Sequence, residues 1–84
     1  MSAAATRALS DVPVRSTVEV VAVKGGDAAR RLMEMGVTPG CELTVVRVAP
    51  LGDPVEVRLR GYRLTLRKSE AAHIEVTAAD GAPA

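Results

Sequence analysis

The stretch 55–68, VEVRLRGYRLTLRK, carries the clearest pattern in the chain. Apolar and charged residues alternate over 55–60, and apolar and polar residues alternate again over 63–67. A period of two is typical of strands that bury one face. The pattern therefore predicts a β-hairpin that turns at Gly61-Tyr62, with Gly first, as a type II′ turn requires.

The expected register of this hairpin follows from its turn. It places Leu59 opposite Leu64, Val57 opposite Leu66 and, on the outer face, Glu56 opposite Arg67 as a cross-strand ion pair. A turn at Arg60-Gly61 keeps the same residues on the same faces and stays open as the alternative.

The segment before the hairpin predicts a strand, a helix and a second strand. Residues 18–23 (VEVVAV) are β-branched and apolar, which favours a strand. A helix is expected over 27–35, with Asp27 as its N-cap and Gly36 at the left-handed position after its end. Its predicted buried stripe is Ala28, Leu32 and Met35.

Turn signals divide the remaining sequence. A second strand is expected at 41–48 (CELTVVRV), where the alternation breaks near Val46 as at a bulge or bend. The residues 49–54 (APLGDP) predict a tight loop. Ser69 is expected to cap a single helical turn over 70–72, and a last strand is expected at 73–77.

These elements predict a mainly β fold, a small SH3-like barrel of about five short strands with one helix in the N-terminal half. An OB-like barrel is the nearest competitor. The domain is expected to span residues 9–77, with flexible tails at 1–8 and 78–84.

The composition excludes several classes of partner. The chain has 84 residues, no Trp or Phe, and Tyr62 as its one aromatic residue, so it lacks the surfaces on which single-stranded nucleic acids stack. Its net charge of +1 gives no strong field toward nucleic acid or membrane. No apolar run approaches the length of a spanning helix. We therefore expect a cytoplasmic protein with neither nucleic acid binding nor membrane insertion.

The residues that carry chemistry are too few for a self-sufficient site. No nucleophile pattern, phosphate loop or paired acid and base is present, so we expect no enzyme, no catalytic residue and no cofactor. Cys41 is expected to be a small half-buried apolar residue. His73 is the one histidine, and with Cys41 it falls short of a metal-ligand set, so no metal site is predicted.

Basic residues of the hairpin form a second predicted face, consisting of Arg58, Arg60, Arg63 and Arg67. It is suited to an acidic or phosphate-bearing partner. A solvated outer face that protects the sheet edge explains the same residues equally well. Leu51, at the tip of a loop, is a candidate for partner contact.

Three motifs resemble a known family. They are Arg31-Leu32-x-x-Met35-Gly36-Val37-x-Pro39-Gly40, Ala49-Pro50-Leu51-Gly52-Asp53-Pro54 and Arg60-Gly61-x-x-Leu64-x-Leu66-Arg67-x-x-Glu70-Ala71. Their order and spacing resemble the FeoA family, the small ferrous iron transport protein A. The resemblance implies an SH3-like barrel that acts as an accessory to the family's large membrane iron transporter, which carries a cytoplasmic GTPase domain. Related SH3-like modules end some metal-dependent transcription repressors, so the alternative function is a metal-responsive SH3-like module that acts with such a repressor.

The expected role is therefore a non-enzymatic accessory that binds the cytoplasmic part of a ferrous iron transporter and modulates uptake. The predicted docking surface is the helix with the adjoining loop. Its residues are Arg30, Arg31, Leu32, Met33, Leu51 and Asp53. The helical phase of Leu32 also makes it a core candidate, and a homo-oligomer is left open.

Overall fold

A computed structural model gives the structure of residues 6–78. The strands are β1 Arg7–Ala8, β2 Thr17–Val23, β3 Glu42–Val48, β4 Val55–Leu59, β5 Tyr62–Leu66 and β6 Ile74–Ala78. The helices are α1 Asp27–Glu34 and α2 Lys68–Ala71, and a 3₁₀ turn covers Leu9–Asp11. All strands join one antiparallel sheet in the order β1-β6-β2-β3-β4-β5. The mainly β prediction is confirmed, with one more strand than expected.

The extra strand changes the ends of the predicted domain. Arg7 lies opposite Val76 and Ala8 opposite Glu75, and Ala78 still pairs with Val18. Because these residues are held in the sheet, the predicted tails at 1–8 and 78–84 are wrong at their inner ends. Residues 1–5 and 79–84 lie outside the described part of the chain.

The hairpin forms with the alternative turn. Leu59 pairs with Tyr62 and Val57 with Leu64, so the loop is Arg60-Gly61. Both loop residues have positive φ, 51° and 85°, as in a type I′ turn, whose twist matches that of the strands. The predicted Gly61-Tyr62 turn is wrong by a register shift of two, which leaves the faces unchanged. Glu56 lies opposite Thr65 rather than Arg67.

Helix α1 begins and ends at glycines. Its N-cap is Gly26, and the Asp27 side chain makes no capping bond, so that prediction is wrong. At the other end, the N–H of Val37 donates to the carbonyl oxygen of Leu32 (3.0 Å) and that of Gly36 to Met33 (3.0 Å). These two bonds are a Schellman motif, and they confirm Gly36 as the residue that ends the helix.

The buried stripe of α1 is rotated from the predicted one. Ala29 and Leu32 are buried, whereas Ala28 and Met35 are half-buried. Leu32 therefore packs into the core and cannot be part of a docking surface, which corrects that prediction.

The second helical segment is capped differently from the prediction. Its N-cap is Arg67, whose backbone N–H donates to Oε1 of Glu70 (2.9 Å), and Ser69 lies inside the helix. The bulge predicted near Val46 is confirmed by the register shift between Val45 and Arg47 on β3.

An aliphatic core fills the inside of the curved sheet. Its fully buried large side chains are Leu9, Val18, Val20, Leu32, Val37, Leu43, Val45, Val57, Leu59, Leu66, Ile74 and Val76. Tyr62 lies at the surface instead. Stability therefore depends on close packing of branched side chains, for which each lost methylene is costly.

Candidate docking surface

A groove of about 490 Å³ lies where α1, the end of the 49–54 loop, the end of β5 and α2 meet. It is lined by Arg31, Met35, Pro54, Thr65, Leu66, Arg67 and Glu70. Of these residues, the sequence predicted only Arg31 for the docking surface and Arg67 for the basic face. The apolar members gave no signal of a groove, because Met35 and Leu66 were predicted as core positions and Pro54 as part of a loop.

Glu70 is one of the polar lining residues of the groove, and it is buried. Its Oε1 accepts the backbone N–H of Arg67, and its Oε2 accepts a hydrogen bond from the guanidinium of Arg31. The backbone hydrogen bond from Arg67, and then the one from Arg31, lower the pKa of the Glu70 carboxyl even though burial alone would raise it. Glu70 is therefore an ionised residue that holds α1 and α2 together.

Tyr62 joins the hairpin to the end of α1. Its hydroxyl donates to the carbonyl oxygen of Met35, one of the carbonyls that the helix end leaves free. A Cβ on Gly36 would lie 2.5 Å from that hydroxyl oxygen, and Gly36 has a φ of 103°. Both the space and the backbone conformation therefore require glycine here.

The 49–54 loop is fixed at its base and exposed at its tip. Oδ1 of Asp53 accepts the backbone N–H of Lys68 (2.9 Å), and the N–H of Gly52 donates to the carbonyl oxygen of Ala49 (2.7 Å). Leu51, at the tip, is 93% exposed. Asp53 thus holds the loop against the start of α2, and Leu51 is free to contact a partner.

The predicted docking residues fall into separate positions around α1. Arg31 faces the groove, together with Met35 four residues on. Met33, 42% exposed, is two positions from each of them and so points in another direction. Arg30 is exposed and lies on the same side as Met33, three residues away.

The predicted basic face is exposed on the hairpin. Arg58 lies directly opposite Arg63, and Nη1 of Arg63 is 3.2 Å from Oε2 of Glu56. Glu56 thus pairs with Arg63, which corrects the predicted pair with Arg67. Arg60 is in the turn, and Arg67 is exposed at the start of α2.

The two residues weighed as metal ligands lie in different environments. Cys41 is buried, whereas His73 is exposed and donates from Nδ1 to the carbonyl oxygen of Ser69 (2.9 Å). Within residues 6–78, no three His, Cys, Asp or Glu side chains are placed to hold a metal ion. Neither helix of the described chain has the length and apolar character needed to cross a bilayer.

Known proteins share both this sequence pattern and this fold. Residues 7–78 match the family described as FeoA domain. An Fe(2+) transport protein A/Fe(2+) transporter FeoB fusion protein of Porphyromonas gingivalis is 42% identical over 69 residues, which are 81% of this chain and 8% of that protein. The chain thus spans a small fraction of that curated relative.

Solved structures extend the likeness. A FeoA-like protein from Clostridium acetobutylicum is 36% identical, with a TM-score of 0.85 and coverage of 99% of this chain and 96% of its own. Stenotrophomonas maltophilia FeoA, a prokaryotic SH3 domain protein solved with zinc, is 34% identical, with a TM-score of 0.74 and coverage of 82% and 87%. The predicted SH3-like fold is thereby confirmed.

A manganese-dependent transcriptional repressor shares the fold at 18% identity, with a TM-score of 0.81 and coverage of 93% of this chain and 44% of its own. At that identity the likeness shows the fold alone. The family match over residues 7–78 and the relatives above 30% identity carry more information. On that evidence, this chain belongs to the FeoA family.

Proposed function

We propose that this chain is a non-enzymatic cytoplasmic accessory protein that binds the cytoplasmic part of a ferrous iron membrane transporter and modulates iron uptake. The observation that carries the proposal is the Porphyromonas gingivalis relative, whose name joins transport protein A to the transporter FeoB in one polypeptide. Fusion keeps two partners at high effective concentration, as expected for domains that act together. The partner would be the portion of the transporter that carries its GTPase domain.

The proposed docking surface consists of Arg30, Arg31, Met33, Leu51 and Asp53. Met33 and Leu51 supply exposed apolar side chains whose burial would favour a complex. Arg30 and Arg31 supply positive charge at the rim of the surface. Rim charges raise the rate of association more than they raise the affinity. Asp53 acts indirectly, because its bond to the Lys68 backbone holds the loop that carries Leu51.

Calorimetric titration of the purified cytoplasmic portion of the transporter tests this surface. We expect Leu51→Ala and Met33→Ala each to weaken binding about tenfold, since each removes apolar area from the interface. Val14→Ala is the matched control, because Val14 is 43% exposed and lies on neither α1 nor the 49–54 loop. Unchanged binding by both variants would rule out the surface, and absence of binding by the unmodified chain would rule out the partner.

A further inference from the structure

Strand β5 is at one end of the sheet. Its sole neighbour among the described strands is β4, whereas β4 itself pairs on both sides. An edge strand presents a row of backbone donors and acceptors that another extended chain can complete.

The hairpin geometry identifies which backbone groups face outward. The two-residue turn makes Leu59–Tyr62 a hydrogen-bonded pair, and the alternation of antiparallel ladders makes Val57–Leu64 the next one. The intervening residues of β5, Arg63 and Thr65, therefore point their N–H and C=O groups away from β4. Both residues are exposed, so an incoming strand can reach these groups.

The two faces beside this edge differ in character. On the outer face, Arg58 and Arg63 are directly opposed, and Glu56 is the acidic residue that pairs with Arg63. On the inner face, Leu64 of β5 is half-buried, and the groove at the end of the strand is lined by half-buried Met35. A segment that fits both faces alternates acidic residues, facing Arg63, with apolar residues facing the groove.

The same charges argue against a second copy of this chain at the edge. Antiparallel pairing of β5 with itself would bring Arg63 of each copy near the other, and like charges across a ladder are destabilising. An acidic strand instead gains an ion pair and relieves the Arg58–Arg63 repulsion. The occupant is thus a different protein.

We propose that β5 binds an extended segment of a partner protein by strand addition, and that this segment alternates acidic and apolar residues. Main-chain hydrogen bonds to Arg63 and Thr65 supply affinity, and the arginines with the groove supply selectivity. The site lies on β5 rather than on Met33 and Leu51, although Arg31 faces the adjoining groove, and it does not depend on the proposed transporter partner.

The test is titration of the isotope-labelled chain with a short peptide, blocked at both ends, in which Glu and Val alternate. We expect the largest amide shifts at Arg63 and Thr65, together with slower hydrogen exchange of those two amides. A peptide with Lys in place of Glu should bind about tenfold more weakly or worse, because it faces the arginines. A Glu-Val peptide with alternate backbone nitrogens methylated should lose binding, since its donors are gone.

Substitutions in the chain supply the converse test. Arg63→Glu should favour the Lys peptide over the Glu peptide, and Thr65→Pro should abolish binding by removing an outward N–H, with folding checked by circular dichroism. The methylated peptide keeps the test decisive even if Thr65→Pro fails to fold. The proposal is overturned if the Glu-Val peptide shifts no β5 amide resonance, or if the methylated peptide binds equally well. It is also overturned if sedimentation shows that the chain forms a dimer that Thr65→Pro abolishes.

Discussion

The hydroxyl of Tyr62 hydrogen-bonds the carbonyl oxygen of Met35, and this contact ties the first residue of β5 to the end of α1. The carbonyl would otherwise have no helical partner, because it lies in the last turn. Gly36 provides the space for the contact, since any Cβ there would meet the hydroxyl. One aromatic residue and one glycine thus fix how the helix meets the sheet edge.

This contact predicts energetic coupling between Gly36 and Tyr62. Gly36→Ala should lower the free energy of unfolding by about 2 kcal/mol or more, from the positive φ together with the clash. Tyr62→Phe alone should cost about 1 kcal/mol, the net value of one hydrogen bond. In the Tyr62→Phe background, Gly36→Ala should cost about 1 kcal/mol less than in the original chain, because the hydroxyl is absent. Urea unfolding of the four proteins measures the coupling, and strictly additive losses would contradict it.

The Arg31–Glu70 pair should contribute more to stability than the exposed Arg63–Glu56 pair. Glu70 is buried and also accepts the Arg67 N–H, so Glu70→Gln should cost about 1–2 kcal/mol. Glu56→Gln is the matched control and should cost less than about 0.5 kcal/mol, because Arg63 is largely exposed to solvent. Equal losses in urea unfolding would show that burial does not strengthen the Glu70 pair.

Glu70 also predicts how stability depends on pH. Its folded-state pKa is lowered, so the ionised form is favoured by folding. The contribution is complete above the ordinary glutamate value of about 4.3 and is lost as pH falls through the lower folded-state value. The stability difference between the original chain and Glu70→Gln should therefore be constant near neutral pH and shrink below about pH 4. Urea midpoints across this range measure it, and a difference that does not change down to pH 3 would contradict the assignment.

The turn of the hairpin can be improved. Arg60 has a φ of 51°, which asparagine tolerates better than arginine does. We expect Arg60→Asn to raise the free energy of unfolding by about 0.5 kcal/mol. Arg58→Asn removes the same charge from the adjoining strand without touching the turn, and it should give no such gain. If both variants gain equally, relief of charge repulsion rather than turn geometry is the cause.

The sequence predicted most of the fold because apolar periodicity reports burial directly. The alternation in 55–67 identified both hairpin strands and their buried faces, and Gly36 identified the end of α1. The predicted hairpin register was wrong because a shift of two residues leaves every side chain on the same face. Burial therefore cannot distinguish the two registers, and the choice between them depends on the twist of the turn. Strand β1 was missed because two residues carry no period.

The site was less predictable than the fold. Leu51 and Met33 were found as exposed apolar residues, but Leu32 was also assigned to the surface, although its helical phase already made it a core candidate. The groove gathers Arg31, Pro54 and Glu70 from distant parts of the chain. No local sequence pattern predicts that these residues lie close together, because their proximity depends on how the sheet curves.

The pairing of Arg7 with Val76 has a consequence for how this domain can be joined to other proteins. The first and last described strands lie side by side, so a partner joined beyond β1 and one joined beyond β6 would be linked through neighbouring strands. A linked version and a detached version could then present identical contact surfaces, differing only in local concentration.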